Sequence, residues 1–168
     1  MNSVHPSAVD AFPPQMKSSV DIALPDGAGD DEYLAAIADA LGAVRAFGPD
    51  LVLYDAGVDV HRDDVLGRLA VTDGGICRRE MMVLDTLVAH GVPVAGLVGG
   101  GYDDDMTLLV GRHVELHRAA QEVWAEHGMG EPLPLRLQGV RSDEVPMPVG
   151  SWEEVEGWRG CNLFGESD

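Results

Sequence analysis

Leu51-Val52-Leu53-Tyr54-Asp55-Ala56-Gly57-Val58-Asp59 is a short apolar run that breaks into a polar, glycine-containing loop. A continuous apolar run of this length, set between helical patterns, reads as a buried parallel strand. Downstream, Thr72 can cap a helix that carries Ile76, Val83, Leu84, Leu87 and Val88 on one stripe and ends at Gly91. Val92 to Val98 is a second buried strand, and it ends in Gly99-Gly100-Gly101-Tyr102. A third helix, from about Asp103 to His127, has Met106, Leu109, Val110, His113, Leu116, His117, Ala120 and Trp124 on its stripe. Upstream, Tyr33, Leu34, Ile37, Leu41, Val44 and Phe47 mark a first helix, with Asp30 as its cap and Gly48-Pro49 as its stop. Residues 30 to 127 thus read helix, strand, helix, strand, helix, which predicts a parallel α/β unit. Ligand sites in such sheets lie beyond the carboxyl ends of the strands. Here those ends are the Asp59 loop and the Gly99–Tyr102 loop.

Outside this unit the pattern weakens. Residues 1 to 19, with Pro6, Pro13 and Pro14, read as loop, and Val20-Asp21-Ile22-Ala23-Leu24 as a short strand before the turn Pro25 to Gly29. From Gly128 onward no period is sustained, so 1–127 is expected to be the domain and 128–168 an acidic, largely irregular extension. Within the extension, Trp152-Glu153-Glu154-Val155-Glu156-Gly157-Trp158 offers aromatic anchors in an acidic setting, either for a partner or for folding back on the domain.

The 168 residues carry a net charge of −18, from 29 acids against 11 bases. A chain this acidic lacks the footprint for phosphate backbones and for anionic membranes, and it attracts cations. Direct nucleic-acid binding and membrane attachment are therefore not expected. Cys77 and Cys161 are too few for a disulfide framework and too far apart for a cysteine zinc motif. With no apolar segment at the N-terminus and no run long enough to span a bilayer, an intracellular location, cytoplasmic or nuclear, is expected.

The block from Leu51 to Leu69 contains A-G-x-D at Ala56 to Asp59 and D-x-L-G-x-L at Asp64 to Leu69, and Thr72 precedes a helix. With the strand ending in G-G-G-Y at Tyr102, it resembles the zinc-dependent histone deacetylase superfamily, including its acetoin-utilisation and acetylpolyamine amidohydrolase relatives. The style is closest to the bacterial-like and class IV branches. Phe12-Pro13 to Lys17, Asp21, and Gly27 to Leu34 are similar to further stretches of the family, so the resemblance covers about residues 5 to 120. It implies part of an arginase-deacetylase fold: a parallel sheet flanked by helices, the C-terminal half of the family's domain.

The resemblance also implies roles. The family hydrolyses an N-acetyl amide, on acetyl-lysine peptides or acetylated small amines, with a Zn²⁺-bound water as nucleophile. Protein deacetylation and chromatin regulation belong to that picture. Asp59 falls on the third zinc ligand, as against the bland role of a loop aspartate capping a turn. Tyr102 falls on the hydroxyl that stabilises the oxyanion, with Gly99, Gly100 and Gly101 as the substrate loop. The rivals there are an incidental tyrosine and a phosphate loop, and Asp103-Asp104-Asp105 counts against the latter. The D-x-H at Asp59-Val60-His61 is not the family's own, and no metal role carries onto His61. His113 and His117 stand four apart without a glutamate in H-E-x-x-H form, so they read as residues at the edge of a packed face. No tandem histidine and no second metal-ligand block occurs. The chain alone is therefore expected not to hold the zinc, and to self-associate through sheet surface left uncovered. The alternative is a non-catalytic fragment or pseudoenzyme acting as an acidic interaction module.

Overall fold

The computed structural model describes residues 2–6 and 18–130. The order is β1 (Asn2–Pro6), β2 (Val20–Leu24), α1 (Asp30–Phe47), β3 (Val52–Asp55), α2 (Asp73–Ala89), β4 (Val94–Leu97) and α3 (Met106–Glu126). This is the α/β arrangement expected, with parallel strands flanked by helices. β3 and β4 pair in parallel, Val52 opposite Val94 and Asp55 opposite Leu97, and α2 makes the crossover that parallel pairing requires. β1 and β2 form a second two-stranded parallel pair, Asn2 opposite Val20 and Pro6 opposite Leu24.

β1 corrects the reading of residues 1 to 19 as loop. Five residues that include a histidine and a proline show no alternation, and β2, remote in sequence, supplies the ladder that extends them. The Phe12–Lys17 stretch, the extension from residue 131 and its Trp152–Trp158 segment lie outside the described residues.

The helix ends follow local chemistry. Thr72 caps α2 by accepting from the Gly75 N–H at 3.1 Å. Gly48 closes α1 in the left-handed conformation at φ 66°. Asp30 does not cap α1; Gly29 holds that position without a side-chain bond. The Asp30 carboxylate instead accepts from the Thr72 N–H at 2.8 Å, the Thr72 hydroxyl at 2.7 Å and the Arg78 guanidinium at 2.7 Å. A residue placed to start one helix therefore ties it to the start of the next. α3 begins at Met106, with Asp105 as its cap, so Asp103 belongs to the preceding loop.

Two apolar clusters hold the unit together. One joins Tyr33, Ile37 and Leu41 of α1 to Ile76, Val83 and Leu87 of α2 and to the loop residues Val58, Val60 and Val71. The other joins Leu84 of α2 to Leu116, Ala119 and Val123 of α3. Val52, Tyr54 and Val94 on β3 and β4 pack against these clusters. Their neighbours Leu53 and Leu97 are 68% and 47% exposed. Strand side chains alternate between faces, so among the described residues one face of this pair is left uncovered. No described helix is long and apolar enough to cross a membrane.

Candidate functional site at the strand ends

Beyond β3 and β4 the two strand-end loops continue side by side. The Ala56 N–H donates to Leu97 O at 2.9 Å and the Val58 N–H to Gly100 O at 2.6 Å. This contact requires the glycines. A Cβ on Gly99 would stand 1.9 Å from Asp55 Oδ1 and 2.7 Å from Gly57 N, and one on Gly100 would stand 2.5 Å from Asp59 Oδ2. Gly101 has φ 154°, a conformation side chains avoid, and a Cβ there would strike Val58 Cγ2 at 2.5 Å. The Asp59 carboxylate thus lies directly against the glycine loop that leads to Tyr102.

Asp59 and Tyr102 stand at the same end of the sheet, as the strand order requires. The Asp59 side chain is open to solvent overall. Crowding of the loops around its carboxyl, reinforced by the like charges of Asp64 and Asp55, still raises its pKa above the ordinary carboxylate value. Tyr102 is 58% exposed, while its backbone N–H donates to the buried Asp64 carboxylate at 2.6 Å.

Beneath the loops lie two polar networks that sequence reasoning missed. In the first, Arg79 donates to Gly57 O at 2.7 Å, Ala56 O at 3.3 Å and the Tyr33 hydroxyl at 3.1 Å, and it pairs closely with Glu80. Glu80 in turn accepts from the Tyr54 hydroxyl at 2.7 Å. Arg79 and Glu80 are 2% and 1% exposed. The available signal was their spacing, since they stand three and four residues after Ile76 on the buried stripe of α2. Burial drives the Tyr54 hydroxyl well above its ordinary pKa, and Glu80 adds to this.

In the second network, the buried Arg112 of α3 donates to Asp103 at 2.6 Å and to Asp73 at 3.4 Å, and lies 3.6 Å from Asp63. The buried His61 accepts from the Asp63 N–H at its Nδ1, 3.1 Å away. Its Nε2 stands 3.3 Å from Asp73 Oδ1 without the alignment of a hydrogen bond. Burial and the Arg112 charge keep His61 below its usual pKa. His61 is therefore a packed loop residue. His113 is half-buried, with Nε2 3.5 Å from where a Gly101 Cβ would stand, and His117 is exposed. Burial and the Arg79 charge lower the pKa of His113.

A catalytic zinc takes three protein ligands and keeps a fourth position open. Among the described residues, no group of three or more His, Cys, Asp or Glu side chains could hold a metal ion. Asp59 offers one donor, and these residues by themselves do not fit the metal.

A histone deacetylase domain model matches residues 3–120. An uncharacterised protein of Picosynechococcus is 50% identical over 118 residues, which cover 67% of this chain and 38% of that protein. Histone deacetylase 2 of Arabidopsis thaliana is 34% identical over 90 residues, covering 53% of this chain and 23% of its own length. Acetylpolyamine amidohydrolase of Burkholderia pseudomallei is 35% identical over 84 residues, covering 50% and 24%. The matches thus span between 23% and 38% of these relatives. The crystal structure of an acetylpolyamine aminohydrolase from Burkholderia pseudomallei aligns at a TM-score of 0.50 and 24% identity, over 63% of this chain and 28% of that one. At that identity it speaks for the fold alone.

Proposed function

The chain belongs to the histone deacetylase domain family, and from that premise we propose that its strand-end loops form part of a site that hydrolyses N-acetyl amides. The observation that carries this reading is the packing of the Gly99–Gly101 loop onto the Asp59 carboxylate, which puts Asp59 and Tyr102 at one edge. In the proposal Asp59 is one ligand of the family's Zn²⁺. The remaining donors come from outside the described residues, and no step through the metal is assigned to this chain alone. The Tyr102 hydroxyl donates to the carbonyl oxygen of the amide. A donor fixed where negative charge develops favours the transition state over the ground state. Gly99, Gly100 and Gly101 let the backbone come close to the substrate.

The proposed substrates are acetyl-lysine peptides or acetylated small amines, reached in the cytoplasm or nucleus. On the peptide side this is protein deacetylation, with chromatin as one setting. A net charge of −18 favours cationic partners of either kind. The incomplete donor set favours a second reading, a non-catalytic family member serving as an acidic interaction module.

A chimera separates the two. The matching segment of the Burkholderia acetylpolyamine amidohydrolase is replaced by the corresponding residues of this chain, and hydrolysis of acetylpolyamine and of an acetyl-lysine peptide is measured. The enzyme reading expects turnover by the chimera and none by the 168-residue chain alone. It also expects Asp59→Asn to remove bound zinc and turnover together. A folded chimera that binds zinc yet does not turn over favours the interaction module.

A further inference from the structure

Asp64 lies on the loop after β3 and is 8% exposed. Its Oδ1 accepts from the Leu66 N–H at 2.9 Å and the Gly67 N–H at 2.6 Å, which closes a local turn. Its Oδ2 accepts from the Tyr102 N–H at 2.6 Å, 38 residues away in sequence. One buried carboxylate thus takes three backbone donors from both strand-end loops. Bonds to an ionised acceptor are the strong ones, and burial strengthens them further.

The surroundings give this bond a direction. The ladder of β4 has ended at Leu97, and beyond the Gly100 carbonyl the loop is held by side chains. Asp64 holds the Tyr102 amide, and Arg112 holds Asp103 immediately after it at 2.6 Å. The Tyr102 backbone is therefore tied on both sides while its side chain stays 58% exposed. The turn that aims Asp64 is itself locked. A Cβ on Gly67 would lie 2.2 Å from the Asp59 carbonyl oxygen and 3.1 Å from Asp64 Cβ. Asp59, Asp64, Gly67 and Tyr102 form one interlocked unit.

We propose that Asp64 is a positioning residue: its carboxylate fixes the backbone of Tyr102 relative to Asp59, and so sets where the tyrosine hydroxyl is presented. The purpose assigned to the clamp rests on the deacetylase reading of Tyr102, whereas the clamp itself does not. A donor must be held within a fraction of an ångström of its place to act on a developing charge, and a glycine loop does not hold itself.

The test uses the full 168-residue chain, isotope-labelled, by nuclear magnetic resonance. In the unmodified chain, a through-hydrogen-bond correlation between the Tyr102 amide and the Asp64 carboxyl carbon is expected. So is slow exchange of that amide compared with the amide of the exposed Asp104. Asp64→Ser keeps an oxygen for the local turn but is too short to reach Tyr102. It should speed Tyr102 amide exchange about 10- to 100-fold, as loss of a bond to a charged acceptor does. Exchange at Leu84 and Leu87 in α2 should not move, which a merely structural role would not predict. An unmodified Tyr102 amide that exchanges as fast as Asp104, or one unaffected by Asp64→Ser in a folded protein, overturns the proposal. If the variant does not fold, the correlation in the unmodified chain decides alone. Loss of the deacetylase reading through an inert Tyr102→Phe would leave this bond standing, so the two failures are distinguishable.

Discussion

Asp30 shows how one side chain serves two elements. At the head of an apolar periodic stretch it reads as a helix cap, and its acidity suits the α1 dipole. Its carboxylate instead binds Thr72 and Arg78. Partial burial works against its ionisation, but the Thr72 hydrogen bonds and the Arg78 charge outweigh this and hold its pKa below the ordinary value. A carboxyl whose pKa is lower in the folded state stabilises the fold above its unfolded pKa, about 4. That contribution is lost as pH falls through the lower, folded value. Urea unfolding of the natural chain and of Asp30→Asn should therefore differ most at neutral pH, with the natural chain more stable. The gap should shrink as pH drops below about 4. A gap that stays constant or widens in acid would contradict this. The cap at Thr72 was legible because its partner, Gly75, is three residues away. The partners of Asp30 are 42 and 48 residues away, beyond the reach of local pattern.

At the scale of elements, the stripe read on α3 is displaced around the helix: Met106, Val110, His117 and Ala120 are exposed, whereas Arg112, Glu115, Leu116, Ala119 and Val123 are buried. The apolar stripes of α1, apart from the exposed Phe47, and of α2 were legible, and so was the parallel pairing of β3 with β4. Two strands joined by a helix leave few other arrangements. The charged residues within those stripes were not legible. Arg79 and Glu80 sit on the buried side of α2, where the pattern calls for apolar residues. What makes them acceptable there is a set of carbonyls and hydroxyls from β3, its loop and α1. Removing one partner of a buried pair strands the other charge, at a cost of about 3–5 kcal/mol. Arg79→Met should therefore lower stability by that order in denaturant unfolding. Adding Glu80→Gln to it should recover part of the loss, because no unpaired charge then remains. If the double variant is the less stable by the sum of both changes, the pair is not the source of the penalty. β1 escaped notice for the related reason that its order comes from pairing with β2.

At the scale of the molecule, the described residues form two parallel strand pairs and three helices, and one face of β3–β4 exposes Leu53 and Leu97. Parallel strands are ordinarily covered on both faces, and exposed apolar patches of this kind associate. Sedimentation velocity on the 168-residue chain should show concentration-dependent association that Leu53→Lys weakens. A monomer across the whole concentration range would mean that the face is already covered. That Asp59 and Tyr102 share one end of the sheet was legible at this scale too, since it follows from strand order. The Asp64 clamp and the Arg79 support were not, because each depends on contacts across loops that only the folded chain brings together. In the proposed function the Tyr102 hydroxyl acts on the amide oxygen. Steady-state kinetics of the chimera with and without Tyr102→Phe test it most directly. The account expects kcat to fall about 10²- to 10³-fold with KM changed only a few-fold, the mark of an interaction made in the transition state. An unchanged kcat, or a loss confined to KM, would contradict it.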